Sequence, residues 1–286
     1  ALLLPLNGLR IAAGAMLMAI AFGQAARPDR DGWTLTVLDV GQGLASVVQT
    51  REHVLVFDTG PGWRTGSAAA RVSLLPWLHA RGIRRIDRLV LSHDDRDHTG
   101  GARLLLDSFP VAETLVGPGV KTPDSARPCR RGEAWSWDGV TFEVLHPSER
   151  GHGGDNDNSC ALRIAAPGGS ALLLADPEAD AEQELLSQLL AADVVLVPHH
   201  GSRTSSGPRL IAATGARFAI VSAGFGNRWN LPAAAVIADW RAAGAFVLNT
   251  ATAGAVTVEF ASTPGGIRIR ADRLATRRWW RRVATR

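Results

Sequence analysis

The chain has 286 residues, of which 46% are hydrophobic and 20% charged, and its formal net charge is +4. This hydrophobic content excludes an intrinsically disordered protein, and the length is sufficient to bury a core without disulfide or metal staples. The arginine-rich residues 268–286 carry +7, so residues 1–267 carry −3. The basic net charge therefore belongs to the C-terminal end and does not by itself predict a nucleic-acid-binding body.

Residues 1–26 are almost entirely apolar, and Arg10 is the one charged residue among them. The uninterrupted apolar run from Ile11 to Phe22 is shorter than the roughly 20 residues that a membrane span requires. One interpretation is a secretory signal peptide with Arg10 in its basic region. The apolar start of the chain, without an initiating methionine, favours another, and we expect residues 1–26 to be the end of a membrane-spanning segment.

From Trp33 onward, short β-branched segments alternate with amphipathic helical stretches. Two β-rich halves, each closing with helical segments, predict an α/β fold, a four-layer αββα sandwich, over residues 27–262. Residues 135–140 predict a hairpin, because Asp138 and Gly139 form a typical two-residue turn. Residues 117–133 and 148–158 are rich in turn-forming and charged residues and indicate loops.

Residues 263–286 are interpreted as a basic tail rich in arginine and tryptophan. Trp279 and Trp280 lie among four arginines in this segment. Such a composition suits anionic lipid headgroups or phosphates, and a solvated C-terminal end is the alternative. An anionic membrane surface is therefore one expected partner.

The sequence contains two cysteines, Cys129 and Cys160, which allow one disulfide. Their spacing alone does not show that they are close in space. If the domain faces an oxidising compartment, as an export-type N-terminus would allow, a disulfide is favoured over two free thiols.

The densest group of chemically active side chains follows the apolar segment 88–91. His93, Asp95, Asp97 and His98 place four candidate ligands within six residues. A tight turn after a strand can divide alternate residues between two adjacent metal ions. Imidazole together with carboxylate suits Zn²⁺ or Mn²⁺ better than Ca²⁺, Mg²⁺ or copper. The alternative is a solvated acidic turn, which accounts less well for histidines at both ends.

Further candidates follow two other apolar segments. Asp176 comes directly after residues 172–175 and either bridges two metal ions or caps the following helix. His199 and His200 follow residues 194–197. Because adjacent side chains on an extended backbone point to opposite sides, we expect one histidine to bind metal. The other would hold a phosphate or protonate a leaving group.

These residues together resemble the metallo-β-lactamase superfamily, whose signature is HxHxDH after a strand; here the motif at 93–98 is HxDxDH. With DVGQG at 39–43, FDTG at 57–60, NS at 158–159 and PHHGS at 198–202, the set resembles the C-terminal domain of the ComEC family. That family comprises bacterial DNA-uptake channel proteins of natural competence. The resemblance extends over about residues 33–260 and implies a metallo-β-lactamase-like sandwich.

The resemblance also implies two divalent metal ions, zinc or manganese. His93 and Asp95 would bind one ion, and Asp97 and His98 would bind the other. Asp176 would bridge the two ions.

One of the adjacent histidines, His199 or His200, would complete the second metal site. The catalytic residues implied by the resemblance are Asp97, His199 and His200. Other matching positions would lie around the metals, order nearby loops or contact substrate, and these are Asp39, Asp58, Asn158 and Ser202.

The sequence departs from the family pattern at three positions. Leu44 follows the DVGQG motif where the family commonly has aspartate, and Leu231 replaces a histidine that would line the active site. Asn158 stands about where many superfamily members have another histidine. The complete cluster at 93–98 keeps metal binding as the prediction, whereas Leu231 and Asn158 weigh against full activity.

The implied activity is that of a metal-dependent phosphodiesterase, a nuclease that degrades the DNA strand that is not imported. Its partners would be DNA, in single-stranded form, and an upstream membrane channel domain of the same protein. The implied location is the inner (cytoplasmic) membrane, with this domain on the periplasmic or outer side. Arginines 127, 130 and 131 are candidates for contacts with the DNA backbone.

Two other functions are compatible with the same residues. The domain would act as a non-catalytic, metal-stabilised docking domain of the uptake channel if the substituted positions 158 and 231 remove activity. Alternatively, it is a phosphodiesterase for small or cell-wall phosphoesters. Activity toward single-stranded DNA distinguishes these alternatives from the nuclease.

Overall fold

A computed structural model describes residues 28, 32–63, 66–121, 125–149, 151 and 153–275. The short β-branched segments of the sequence form strands, because branched side chains pack well on a pleated surface. In chain order, the strands are β1 Trp33–Val37, β2 Ser46–Gln49, β3 Val54–Phe57, β4 Ile86–Leu91, β5 Val111–Val116, β6 Arg127–Pro128, β7 Ala134–Trp137, β8 Val140–His146, β9 Ala161–Ala166, β10 Gly169–Leu173, β11 Val194–Leu196, β12 Phe218–Val221, β13 Phe246–Asn249, β14 Val256–Phe260 and β15 Ile267–Ala271.

The strands form two mixed sheets. An eight-stranded sheet has the order β15-β14-β1-β2-β3-β4-β5-β6, and a seven-stranded sheet has the order β13-β12-β11-β10-β9-β8-β7. In the first sheet, β3, β4, β5 and β6 run parallel. In the second, β10, β11, β12 and β13 run parallel. The carboxyl ends of parallel neighbours lie at the same edge of a sheet, which is where ligands commonly bind.

The longer amphipathic helices cover the outer faces, and four-residue helical turns connect other elements. The helices are α1 Leu74–Ala80, α2 Arg96–Thr99, α3 Ala102–Ser108, α4 Ala179–Leu185, α5 Pro208–Thr214, α6 Ala234–Ala242, α7 Thr250–Ala253 and α8 Asp272–Ala275. Leu74 and Leu105 of α1 and α3 pack in one apolar cluster beside the first sheet. Leu185 and Trp240 of α4 and α6 pack in another beside the second sheet.

The largest apolar cluster lies between the two sheets. Side chains along strand β3 alternate between the two faces of the sheet. Leu55 and Phe57 face this central cluster, whereas Val56 faces the helices. Trp33 of β1 and Phe142 of β8 contribute to the same central cluster from opposite sheets. The layers therefore run helix, sheet, sheet, helix, which confirms the predicted αββα sandwich.

The predicted hairpin forms as β7 and β8, with Asp138 and Gly139 at the turn in left-handed conformations, φ 50° and 81°. The boundary at residue 263 between the domain and a basic tail stays a prediction. The segment after it contains β15, which pairs with β14 along its whole length. In this strand, Ile267 packs against the central core while Arg268 is exposed. Residues 267–271 of the basic segment therefore form a sheet edge, and alternation of apolar and basic residues explains both properties.

The segment predicted to be the end of a membrane span, residues 1–26, lies outside the described residues, as do residues 276–286 of the tail. Within the parts of the chain that the structure describes, no helix combines the length and apolar character needed to cross a membrane. Cys129 and Cys160 are both buried and form a disulfide. It joins the segment after β6 of the first sheet to the residue before β9 of the second.

Candidate metal centre

The predicted ligands converge because each follows a strand at the same edge of the sandwich. His93 and His98 follow β4 of the first sheet, Asp176 follows β10, and His200 follows β11 of the second. His98 and His200 bring their Nε2 atoms within 3.2 Å of each other. Two loops more than 100 residues apart in the sequence therefore build one polar centre between the ends of the two sheets.

His98 is held in place by a buried carboxylate. Its Nδ1 lies 2.7 Å from Oδ2 of Asp58, and both side chains are fully buried. Asp58 also accepts hydrogen bonds from the backbone N–H and the hydroxyl of Ser92, each at 2.7 Å. Because a carboxylate only accepts, Nδ1 of His98 is the donor, and its Nε2 presents a lone pair to the centre.

His200 has the same arrangement with a backbone partner. Its Nδ1 lies 2.8 Å from the carbonyl oxygen of Ser222, which only accepts. The Nε2 atoms of neutral His98 and His200 therefore face each other as two acceptors, an arrangement that is repulsive unless a cation or a proton lies between them. The donor set thus fits a bound metal ion, since outward Nδ1–H groups commonly orient the histidine ligands of metals.

His93 supplies a third imidazole with an inward-facing Nε2. Its Nδ1 lies 2.9 Å from the hydroxyl of Ser92 and 3.3 Å from that of Ser159. Because the single hydroxyl proton of Ser92 is donated to Asp58, Nδ1 of His93 is again the donor. Among the described residues, the buried Nε2 of His93 has no hydrogen-bond partner. A buried, unpartnered lone pair is costly, and a metal ion would satisfy it.

Two groups of three side chains place one potential ligand atom each within 4.8 Å of one another. The first contains His93, His98 and Asp176, and the second contains Asp97, His98 and His200. Asp176 lies between the histidines, with Oδ1 at 3.3 Å from His98 Nε2 and Oδ2 at 3.5 Å from His200 Nε2. Such adjoining His/Asp clusters are typical of the dinuclear sites of this fold and suit zinc or manganese.

The electrostatics without metal are those of buried ion pairs. Burial disfavours a charged imidazole, yet Asp176 and Asp58 raise the pKa of His98 well above its usual range. The pKa of His200 is also raised, against its burial, by Asp176 and Asp97. Conversely, burial opposes ionisation of Asp176, but His98 and His200 hold its pKa well below the usual range. Without metal, protons on the imidazoles of His98 and His200 therefore take the positions at which cations would otherwise bind.

The expected division of ligands, with His93 and Asp95 on one metal and Asp97 and His98 on the other, stays a prediction. Among the described residues, the three-residue cluster that contains His93 also contains His98 and Asp176 but not Asp95. Asp95 lies at the rim, with its side chain 54% exposed and Oδ2 3.6 Å from His93 Nε2. The polar contact with the His93 imidazole lowers the pKa of Asp95, so its carboxylate is ionised beside the centre. Asp97 lies 3.2 Å from His200 Nε2, in the second cluster.

The expectation of an extended backbone at His199 and His200 is wrong, because both residues are left-handed, with φ 49° and 53°. They lie in the 3₁₀ turn Pro198–Gly201. His199 does not belong to either three-residue ligand cluster found among the described residues. Its Nδ1 lies 3.0 Å from the hydroxyl of Thr204 and its Nε2 is 3.9 Å from Asp176, so it faces the centre from outside.

The remaining predicted positions have mainly supporting contacts. Asp39 accepts a hydrogen bond from the backbone of Gly41 and pairs with Arg273, which orders the loop after β1. Ser202 accepts a hydrogen bond from the backbone of Thr204 and thereby supports His199 indirectly. The amide of buried Asn158 donates to the carbonyl of Gly154 at 2.6 Å.

Three serines that sequence reasoning did not select contact the histidines. Ser92 links Asp58 to His93, Ser159 contacts His93, and the carbonyl of Ser222 orients His200. Ser92 and Ser159 were visible within the motifs at 92–98 and 158–159, but neither motif shows which histidine they contact. No sequence pattern indicated Ser222, because its backbone carbonyl, and not its side chain, contacts His200.

An open cleft of ≈ 620 Å³ lies over the centre. Asp97, Asp176 and His200 form part of its lining, and Leu231 lies in the same lining, where the family resemblance placed a histidine. The other lining residues are Val40, Gly41, Gln42, Pro61, Gly62, Trp63, Asp95, Arg96, His199, Arg228 and Trp229. The centre is therefore accessible to a ligand much larger than water.

An αββα sandwich with adjoining His/Asp clusters below an open cleft defines a class, that of metal-dependent hydrolase domains. The chain belongs to the metallo-beta-lactamase superfamily, whose sequence pattern matches residues 38–224. The fold and family predicted from the sequence are thus confirmed.

Two of the relatives have names that refer to recombination and to competence. The chain is 36% identical over 259 residues to Recombination protein 2 of Haemophilus influenzae, covering 89% of this chain and 32% of that protein. It is 37% identical over 273 residues to Competence protein ComA of Neisseria gonorrhoeae, covering 93% and 38%. The chain spans about a third of the length of these relatives. It is therefore a metallo-β-lactamase domain homologous to competence proteins.

A solved structure supports the fold independently. Igni18, a novel metallo hydrolase from the hyperthermophilic archaeon Ignicoccus hospitalis, is similar with a TM-score of 0.52 and 15% identity. The match covers 79% of this chain and 99% of Igni18. At this identity, the likeness concerns the fold alone.

Proposed function

We propose that this domain is a two-metal phosphodiesterase that acts on DNA and degrades the strand that is not imported during competence. The observation that carries the proposal is the pair of facing Nε2 atoms of His98 and His200, which lie 3.2 Å apart; His200 lines an open cleft, and His98 is fully buried. Asp97 and Asp176 beside them complete a donor set for divalent metal ions. When bound, two such ions supply a hydroxide nucleophile near neutral pH and neutralise charge on a phosphate.

The chain's own residues would hold and orient the reactants. His93, His98, His200, Asp97 and Asp176 are the proposed metal ligands, with Asp95 approaching from the rim. Their carboxylates make the cleft acidic, and bound dications would reverse that sign where a phosphate must arrive.

His199 is the residue best placed to move a proton. Its Nδ1 is 3.0 Å from Thr204 and 3.3 Å from Glu178, and its Nε2 faces the cleft, 3.9 Å from Asp176. With Nδ1 oriented by these oxygens, Nε2 would protonate the departing oxygen of the phosphodiester. His200 cannot do this while its Nε2 binds metal.

DNA is the proposed substrate because the relatives are named for competence and recombination and because two arginines, Arg96 and Arg228, line the cleft. They replace the loop arginines as our candidates for phosphate contacts. Arg127 pairs with Glu113 and Glu133, so its guanidinium is already occupied.

The proposed setting is the inner membrane, with this domain on the periplasmic or outer side and an upstream channel domain as its partner. The disulfide supports the periplasmic or outer side of the membrane as the location of this domain, because disulfides persist in oxidising compartments. The basic C-terminal end would contact anionic lipids. Protease accessibility of the domain in intact spheroplasts tests the side of the membrane: cleavage there supports it, and protection contradicts it.

The activity is tested with the 286-residue chain loaded with Mn²⁺ or Zn²⁺. We expect it to cleave single-stranded DNA and to contain bound metal by mass spectrometry. Asp97→Asn should abolish cleavage, whereas Asp107→Asn, which removes an exposed carboxylate paired with Arg103 outside the cleft, should retain it. Absence of both metal and cleavage in the wild-type chain would refute the proposal. Hydrolysis of bis-nitrophenyl phosphate without DNA cleavage would favour the small-phosphoester alternative.

A non-catalytic docking domain is the second candidate, and the observation that favours it is Leu231 in the lining of the cleft. This candidate predicts metal binding and DNA binding without hydrolysis by the wild-type chain. Replacement Leu231→His would then create or strongly increase hydrolysis. If the wild-type chain already cleaves DNA, the docking candidate is excluded.

A further inference from the structure

Two tryptophans in the lining of the metal cleft leave about half of their surface exposed. Trp63 is 50% exposed and Trp229 is 53% exposed. They come from opposite halves of the sandwich: Trp63 follows β3 of the first sheet, and Trp229 lies between β12 and α6 of the second. Exposed indole rings that share a cleft with a metal centre point to a planar, apolar group on the ligand.

The loop that carries Trp229 is ordered by the side chain of Asn227. Its amide group donates to the carbonyls of Gly224 and Leu231 at 2.9 and 2.5 Å, and its oxygen accepts from the backbone of Trp229 at 3.2 Å. The guanidinium of Arg228 lies 4.2 Å from the centroid of the Trp229 ring. The indole is thus held by a cation–π contact and an ordered loop, although about half of its surface stays exposed.

The backbone of Trp63 is also hydrogen-bonded. Its backbone N–H donates to Ser67 at 2.8 Å, and its carbonyl accepts from Gly66 at 3.0 Å. Gly62 and Ala68 pair across the base of the loop in an isolated β-bridge. Both indoles are therefore presented by hydrogen-bonded loops, which lowers the entropy lost when a ligand stacks on them.

The charged residues in the cleft indicate which other groups the ligand carries. Arg96 and Arg228 line it together with the two tryptophans, and dications at the centre would add positive charge. A ligand with both planar apolar groups and regularly spaced anionic groups matches this lining. Nucleic acid with unpaired bases has this chemistry, whereas the bases of a duplex are already stacked on one another.

We propose that Trp63 and Trp229 form a stacking platform for unpaired bases of single-stranded DNA, while Arg96 and Arg228 contact its phosphates. This inference rests on the proposed function and names its substrate specificity. The platform makes the cleft bind single-stranded DNA in preference to duplex DNA. Because every base has an aromatic face, the platform accepts any sequence. A strand held there would pass its backbone over the metal centre.

The test measures binding of a fluorescein-labelled, phosphorothioate-linked single strand by anisotropy, with the 286-residue chain in Mn²⁺. We expect Trp63→Leu and Trp229→Leu each to weaken binding about tenfold and the double variant about 100-fold, as for loss of one stacked base per indole. Phe246→Leu is the matched control, since Phe246 is an exposed aromatic of β13 outside this cleft. It should bind within about twofold of the wild type. Thermal melting confirms that each variant is folded.

A strand with abasic sites separates stacking from charge. The wild-type chain should bind it as weakly as the double variant binds the normal strand, and the double variant should not distinguish the two strands. Equal binding by all the tryptophan variants would overturn the proposal. An equal loss on duplex, abasic and normal strands would also overturn it.

Hydrolysis of a strand made entirely of abasic sites, at saturating concentration, distinguishes failure of this inference from failure of the proposed function. The tryptophan variants should retain the wild-type rate on this substrate, which has no planar group to stack. DNA cleavage by the wild type that does not depend on either tryptophan refutes the platform alone. Tryptophan-dependent binding with no hydrolysis of any substrate refutes the nuclease and leaves the platform supported.

Discussion

Asp58 and His98 form a fully buried pair, with the carboxylate oxygen 2.7 Å from the imidazole Nδ1. The pair fixes both the ring orientation and the tautomer of the one histidine that belongs to both ligand clusters. Asp58 itself adopts a left-handed backbone, φ 57°, directly after β3. A non-glycine residue in this region is strained, and here the strained turn directs a carboxylate toward the histidine.

We therefore expect Asp58→Asn to lower metal affinity about 10- to 100-fold, because partners of this kind orient metal-binding histidines. Competition with a chromophoric chelator measures the affinity. Asp138→Asn is the matched control: Asp138 also has a left-handed backbone and lies 3.0 Å from a histidine, His53, at the β7–β8 hairpin. The control should retain wild-type affinity. Equal affinities of Asp58→Asn and wild type would contradict this role.

The pH dependence of stability should differ between the metal-free and the metal-bound protein. The folded pKa of His98 is raised, despite burial, by Asp176 and Asp58. Its contribution to stability is therefore complete below the unfolded value of about 6.5 and is lost as the pH rises through the folded pKa. Metal binds the neutral imidazole and competes with this proton, so affinity for metal rises over the same range.

In EDTA, the free energy of unfolding should accordingly fall between pH 6 and pH 8.5, and saturating metal should remove that fall. Urea unfolding at the two pH values measures it. His98→Asn should flatten the dependence in EDTA. Below about pH 4, the free energy of unfolding should fall as the pH falls, because the folded pKa of Asp176 is lowered and protonating this carboxylate destabilises the folded state. A metal-free protein that is more stable at pH 8.5 than at pH 6 would contradict the assignment.

Much of this centre was predictable because its ligands come directly after strands. The motif at 93–98 and Asp176 follow parallel strands, and the edge at which such strands end is shared. The backbone at His199 and His200 was not predictable, since a left-handed pair depends on the surrounding turn. The sequence also could not show that Trp63 and Trp229 line the same cleft, because their loops follow strands of different sheets.

The disulfide between Cys129 and Cys160 closes a segment with a sequence separation of 31 and connects the two sheets. Loss of such a cross-link increases the entropy of the unfolded chain, and the double variant Cys129→Ala, Cys160→Ala should lose about 3–4 kcal/mol of stability. Urea unfolding of both proteins measures the difference. Reducing agent should destabilise the wild type similarly and leave the double variant unchanged. A difference below about 1 kcal/mol would show that the unfolded chain is not constrained in this way.

Gly43 places the DVGQG loop directly against the ligand-bearing turn. A Cβ at this position would lie 2.2 Å from the carbonyl oxygen of Asp97, and the residue has φ 134°. Leu44 also donates its N–H to that same carbonyl at 3.1 Å. Any side chain at Gly43 must therefore displace the backbone of a proposed ligand.

Gly43→Ala should reduce metal affinity as well as stability, the latter by roughly 1–3 kcal/mol from backbone strain alone. Gly41→Ala separates the two effects. Gly41 also has a positive φ, 79°, but an added Cβ meets nothing within 4 Å. It should lose stability through strain and keep its metal affinity, measured by chelator competition. If both variants bind metal like the wild type, the close approach of Gly43 to Asp97 does not position the ligand.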